Sequence, residues 1–260
     1  MQYVFGKEIN RGRYGIVYKA RKNGKTYAAK ILPKYRIDFS HERNIAMIER
    51  EIANHRKVNG NLNVIELYEI VEDWGNYYLI QEYCRKGDLL TYMHNNKLDL
   101  ITIKQIIRDC LNGLIACHKS GFIFGDLKPS NVLVSNDNRF KLCDFGATDN
   151  CNEMYSGSTN VRGTILYIAP ETLIFKEEHG FIADMWALGI MCYYLLYEKY
   201  PYKLDCNRSE FIEQVKTTEI AYDKIPKFSF FAEDFMRKCL TKNKLERITP
   251  EEALNHPFLK

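Results

Sequence analysis

The chain has no Cys-x-x-Cys pair, no long uninterrupted apolar run, no low-complexity tract and no internal repeat. Its eight cysteines stand at 84, 110, 117, 143, 151, 192, 206 and 239. That scatter suggests neither a zinc site nor a disulfide framework, and fits reduced thiols in an intracellular, cytoplasmic protein. The most apolar stretch, Asp184 to Tyr197, is too short for a membrane span and carries Asp184 and Gly189, so a buried helix is expected and membrane insertion is not. Met1-Gln2-Tyr3-Val4-Phe5-Gly6-Lys7 lacks the apolar core and small-residue cleavage pattern of a signal peptide. No charge dominates: 37 Lys and Arg against 33 Asp and Glu leave a net +4. Such a balance calls for no nucleic acid partner and remains compatible with an anionic ligand.

What is present is enough chain, 260 residues, to bury a substantial core in one large domain or two small lobes. The first third reads as strands at Val4 to Ile9, Ile16 to Ala20, Tyr27 to Leu32, Val64 to Val71 and Tyr77 to Tyr83. Asn23-Gly24 marks a tight hairpin. Ile45, Ile48 and Ile52 recur at helical spacing between about Ser40 and Val58, with Glu42 in the first turn. Beyond Arg85-Lys86-Gly87-Asp88 the pattern turns helical. Ile103, Ile106, Ile107, Cys110, Leu111 and Leu114 form a stripe ending near Ser120-Gly121. Gly121-Phe122-Ile123 and Val132-Leu133-Val134 read as short buried strands, the latter pairing with Phe140 to Cys143. A polar, turn-rich segment from Ala147 to Gly163 is a candidate mobile loop. After Pro170 the chain reads as helices.

Between the two short apolar runs lies Phe124-Gly125-Asp126-Leu127-Lys128-Pro129-Ser130-Asn131. An Asp, a Lys two residues on and an Asn three further offer a base, a cation and a metal-liganding amide. Cys143-Asp144-Phe145-Gly146 adds a second carboxylate. Upstream, Asn10-Arg11-Gly12-Arg13-Tyr14-Gly15 is a glycine-containing hairpin, and Lys30 sits among apolar neighbours, a costly place for a cation without an anion. Each motif alone is weak: Asp126 could be a turn residue and the hairpin an ordinary one.

Together, in this order, they resemble the eukaryotic protein kinase family, serine/threonine branch, from about Val4 to Phe258. The resemblance implies an α+β, bilobal fold: a five-stranded antiparallel sheet lobe with one helix (1–83) and a larger, mainly helical lobe (84–260). It implies ATP and Mg²⁺ as cofactors and a protein substrate with a Ser or Thr acceptor; it implies nothing about oligomeric state. Asp126 would be the catalytic base, Lys128 would neutralise the transferring phosphoryl group, and Lys30 would meet phosphates while paired with Glu51. Asn131 and Asp144 would hold Mg²⁺ through oxygen. Ile9, Asn10, Arg11, Gly12, Arg13, Tyr14, Gly15, Val17, Ala28, Gln81, Glu82, Cys84, Asp88 and Leu133 would surround ATP. Asp88 also stands where an acidic residue in relatives meets an upstream substrate Arg. Glu171 would pair with Arg247, and Asp184 would anchor the backbone of the catalytic loop.

Three positions depart from the family pattern. Asn10 replaces the first loop glycine, and Phe124 and Gly125 replace the usual His and Arg. An aromatic hydrocarbon still fills the space of the His ring under Phe145. The Arg normally pairs with a phosphate on the activation segment, so control through Tyr155, Ser156, Ser158 or Thr159 is not expected unless Arg162 or Lys141 substitutes. The competing reading is a pseudokinase-like scaffold or allosteric binding module.

Overall fold

The structure, a computed structural model, describes residues 3–12, 15–38, 40–147, 163–175, 180–222 and 230–260. Arg13, Tyr14, the Tyr155–Thr159 hydroxyls, Arg162 and nearly all of the expected mobile loop lie outside the described residues.

Five strands form one antiparallel sheet: β1 (Val4–Arg11), β2 (Ile16–Lys22), β3 (Lys25–Pro33), β4 (Leu67–Glu72) and β5 (Asn76–Glu82), in the order β1-β2-β3-β5-β4. The β2–β3 reversal is the Asn23-Gly24 turn, where both residues have positive φ, 51° and 76°. Such a turn matches strand twist, and Asn and Gly tolerate it best. Helix α1 (His41–Val58) starts at Ser40, whose side chain accepts from the Arg43 N–H, and carries Glu42 in its first turn. Ile48 and Ile52 pack on Leu32, Leu67 and Leu79 of the sheet. On the opposite face Ala20, Ala29 and Ile80 lie beneath Tyr3, Phe5, Tyr27 and Tyr78.

The helical part holds α2 (Leu89–Asn95), α3 (Leu100–Lys119), α4 (Pro170–Leu173), α5 (Phe181–Tyr197), α6 (Arg208–Thr217), α7 (Phe230–Cys239) and α8 (Pro250–Leu254). The α3 stripe is fully buried at Ile106, Ile107, Cys110, Leu111 and Leu114. Nearly every residue of α5 is buried, as its all-round apolar sequence requires. No helix among the described residues is long and apolar enough to cross a membrane, and the seven cysteines in those residues are all free.

Two expected strands differ. Gly121-Phe122-Ile123 is not a strand, because its N–H groups finish α3: Gly121 donates to the His118 carbonyl and Phe122 to that of Cys117, with Gly121 at φ +82°. The β4 strand begins at Leu67 rather than Val64. Residues 63–65 instead pair with β7 (Phe140–Leu142): Leu142 donates to the Asn63 carbonyl and Ile65 donates to that of Leu142. This splice ties the sheet to the β6 (Val132–Val134)–β7 pair that carries the loops of the candidate site.

Candidate active site

A cavity of about 370 Å³ is lined by Ile9, Asn10, Val17, Ala28, Lys30, Gln81, Glu82, Cys84, Asp88, Asn131, Leu133 and Asp144, all expected from sequence. Ile65, Tyr83, Gly87, Thr91, Ser130 and Cys143 also line it. Cys143 was legible only by adjacency to Asp144, and Ile65 carried no signal. Arg11, Gly12 and Gly15 do not line the cavity. Arg11 is exposed and paired with Glu8 at 2.7 Å. Gly15 is needed for a different reason than close approach to a ligand: a Cβ there would sit 2.3 Å from the Ile31 carbonyl oxygen of β3. Asp88 caps α2, accepting from the Thr91 N–H at 2.8 Å.

Lys30 projects from the centre of β3, opposite Leu79. Its Nζ lies 2.5 Å from Glu51 Oε1 and 2.7 Å from Asp144 Oδ1, so α1, β3 and the loop after β7 meet at one ammonium. Burial opposes the lysine's charge, but Asp144 and Glu51 outweigh it and hold the group above its ordinary range. Burial also pushes Glu51 up, whereas Lys30 overcomes burial at Asp144 and holds that carboxyl below its usual value. Asp144 has φ +68°, uncommon for a residue with a Cβ, and this turn aims its carboxylate at Lys30. Gly146 leaves the necessary room: a Cβ there would lie 3.0 Å from Glu51 Oε2.

The loop before β6 is held from below. Asp184, fully buried on α5, accepts from the Phe124 N–H at 3.0 Å and the Gly125 N–H at 2.8 Å, and its Oδ2 lies 2.8 Å from His118 Nε2. Phe124 fills the space under Phe145 edge-on, with ring centroids 5.6 Å apart. His55, a residue without a sequence signal, stacks on the same ring at 4.6 Å and hydrogen-bonds the Ile65 carbonyl through Nε2. Asp126 Oδ2 accepts from Lys128 Nζ at 2.7 Å and from Asn131 Nδ2 at 2.8 Å. Burial raises the Asp126 carboxyl, with Lys128 opposing and Asp144 reinforcing. Its Oδ1 is buried and has no hydrogen-bond partner, a group needing explanation by function.

The oxygens of Asn131 and Asp144 suit a hard cation. Asn131 spends its amide N–H on Asp126. Asp144 spends Oδ1 on Lys30 and the Gly146 N–H. Asn131 Oδ1 and Asp144 Oδ2 accept no hydrogen bond among the described residues, so both can face Mg²⁺.

Two further expectations meet the geometry. Arg247 grips Glu171 with two bonds, 2.7 and 2.8 Å, both side chains buried. Lys141 does not serve as a replacement cation, because its Nζ is committed to Glu82 Oε2 at 2.7 Å, linking β7 to the end of β5. The Gln81 amide makes no hydrogen bond among the described residues and lines the cavity.

A family model described as the protein kinase domain matches residues 3–259. The chain is 31% identical to an Aurora kinase of Candida albicans over 99% of its own length and 52% of the relative's. It is 30% identical to calcium-dependent protein kinase 21 of Arabidopsis thaliana, over 99% and 49%. It is 33% identical to calcium-dependent protein kinase 5 of Plasmodium berghei (strain Anka), over 96% and 44%. The chain thus spans about half the length of the curated relatives it matches. By its family match over nearly every residue and its serine/threonine kinase relatives, the chain belongs to the eukaryotic-type protein kinases.

Proposed function

We propose that this domain transfers the γ-phosphate of ATP, with Mg²⁺, to serine or threonine hydroxyls of a protein substrate inside the cell, as one kinase domain with lobes at 1–83 and 84–260. The observation that carries the proposal is the buried Lys30 ammonium shared by Glu51 and Asp144 at the wall of a cavity whose far side holds Asn131. An ion pair this buried is costly to assemble and is rarely retained for stability alone.

ATP supplies the phosphoryl group and Mg²⁺ offsets its charge; the chain supplies position and proton acceptance. Lys30 meets the phosphates, while Asn131 and Asp144 hold the metal. Asp126 orients the acceptor hydroxyl and takes its proton through the unpartnered Oδ1. Lys128, already beside Asp126, faces the charge that develops on the transferring group. Ile9, Val17, Ala28 and Leu133 sandwich the base, with the backbone of Glu82 and Cys84 at its edge. Gly125 offers no cation to a phosphorylated segment, so activity does not depend on that modification.

Transfer of labelled γ-phosphate to a generic protein substrate tests this reading, beside Asp126→Asn and Lys30→Met controls. Wild-type signal well above both supports it. Signal equal to theirs assigns the fold to the scaffold class instead.

A further inference from the structure

On the side of the molecule formed by the end of α1, the turn after it and α3 lies a second, open cavity of about 630 Å³. Its walls include Lys57, Asn59, Leu62, Asn112, Ile115 and Lys119. Asn112, Ile115 and Lys119 stand at i, i+3 and i+7 on α3 and therefore share one face of that helix. No Asp or Glu contributes to the lining.

The two lysines differ from most of those elsewhere on the sheet part. Lys22, Lys30 and Lys34 are all neutralised by carboxylates. Lys119 is exposed and makes no ion pair among the described residues. Lys57 touches only uncharged groups, with Nζ 3.3 Å from Asn54 Oδ1 and 5.7 Å from the centre of the Phe122 ring. A location in the last turns of α1 and α3 accounts for a basic residue there. It does not account for their convergence on one groove with an apolar floor. Leu62 is 60% exposed at the tip of the turn, and Ile115 is half-buried beside it. Asn59 cannot serve as a flexible recognition group, because both ends of its amide are spent on the Leu67 backbone. The Asn112 amide has no partner among the described residues.

From this juxtaposition we infer that the groove is a docking site for an acidic peptide segment of a partner protein, one carrying an apolar anchor between carboxylates. The anchor covers Leu62 and Ile115, the carboxylates meet Lys57 and Lys119, and Asn112 bonds the peptide backbone. Complementary charge without competing acids favours such a partner and sets its orientation. A nucleic acid fits less well: two lysines make no phosphate track, and the groove offers no aromatic surface for bases. The position lies outside the candidate active site, so docking there would recruit or localise a partner without blocking ATP.

The test uses the full chain and a fluorescein-labelled peptide, Glu-Glu-Leu-Leu-Glu-Glu within a Gly/Ser frame, followed by anisotropy at low and physiological salt. Saturable binding is expected, weakened about tenfold or more by the double substitution Lys57→Glu/Lys119→Glu. Leu62→Ser is expected to weaken binding without altering its salt dependence. A peptide with Ala in place of both Leu should bind less well, and a saturating ATP analogue should leave binding unchanged. Unaltered thermal unfolding of the variants assigns the losses to the groove. Three outcomes would overturn the inference: no saturable binding, equal binding by the charge-reversed chain, or binding by single-stranded RNA of equal charge as tight as by the peptide. Each reading stands apart from phosphoryl transfer, so an inactive kinase domain that bound the peptide would still support it.

Discussion

The Gly125 N–H donates to Asp184 Oδ1 at 2.8 Å from a backbone with φ +80°. The residue that lacks the family's cation is therefore the one residue type that adopts this conformation without strain. Gly125→Ala is expected to cost about 1 kcal/mol of stability, read from chemical denaturation, because an L side chain is disfavoured there. Gly125→Arg would carry the same strain and supply the missing charge. Equal or greater stability of the alanine variant would contradict this account of the loop.

His55 predicts a pH dependence. Burial lowers its pKa from 6.5 to about 4, the Ile65 carbonyl opposes and Lys30 assists. The folded-state value lies below the unfolded one, so between these values the unfolded chain binds the extra proton. Stability is therefore lost as pH falls from 6.5 toward 4, by on the order of 3 kcal/mol. His55→Leu should be less stable at neutral pH, since the Ile65 carbonyl loses its partner, yet should show a shallower decline over that window. Parallel stability–pH curves would refute the assignment.

Lys128 holds down a carboxyl that burial raises. Lys128→Met should move the acid limb of the kcat/KM profile to higher pH, as Asp126 then keeps its proton longer. A fall in rate with an unshifted limb would leave Lys128 acting on the phosphoryl group alone.

The Glu171–Arg247 pair is buried and joined by two hydrogen bonds. Removing one partner strands the other, so Arg247→Met is expected to cost roughly 3–5 kcal/mol by thermal or chemical unfolding. A double replacement by apolar residues should recover part of that loss.

Gly146→Ala places a methyl 3.0 Å from Glu51 Oε2. Separation of Glu51 from Lys30 should follow, with a loss of about tenfold in phosphoryl transfer, or 1.4 kcal/mol of barrier. Unchanged activity would mean that the carboxylate shifts freely.

Periodicity and turn chemistry located the sheet, α1 and α3 because those segments bury one regular face. The same logic misread residues 63–65 and 121–123, whose apolar side chains are buried as expected but whose N–H groups go to β7 and to the end of α3. Backbone destinations leave no trace in side-chain pattern. The site was legible wherever a costly residue announced itself, as Lys30 did among apolar neighbours. It was not legible at His55, whose place on Phe145 arises from two elements far apart in sequence. Nor was Gly15 read correctly, since the nearby obstacle is a strand carbonyl supplied by Ile31.

The Lys141–Glu82 pair gives the cleft a hinge pin. It fastens the end of β5 to β7 on the cavity's rear edge, next to the splice of residues 63–65 onto Leu142. The β1–β2 turn near Asn10 carries no comparable bolt among the described residues. Opening and closing must then rotate about the rear edge, and the phosphate end of the cleft sweeps through the larger arc while the end that receives the base hardly moves.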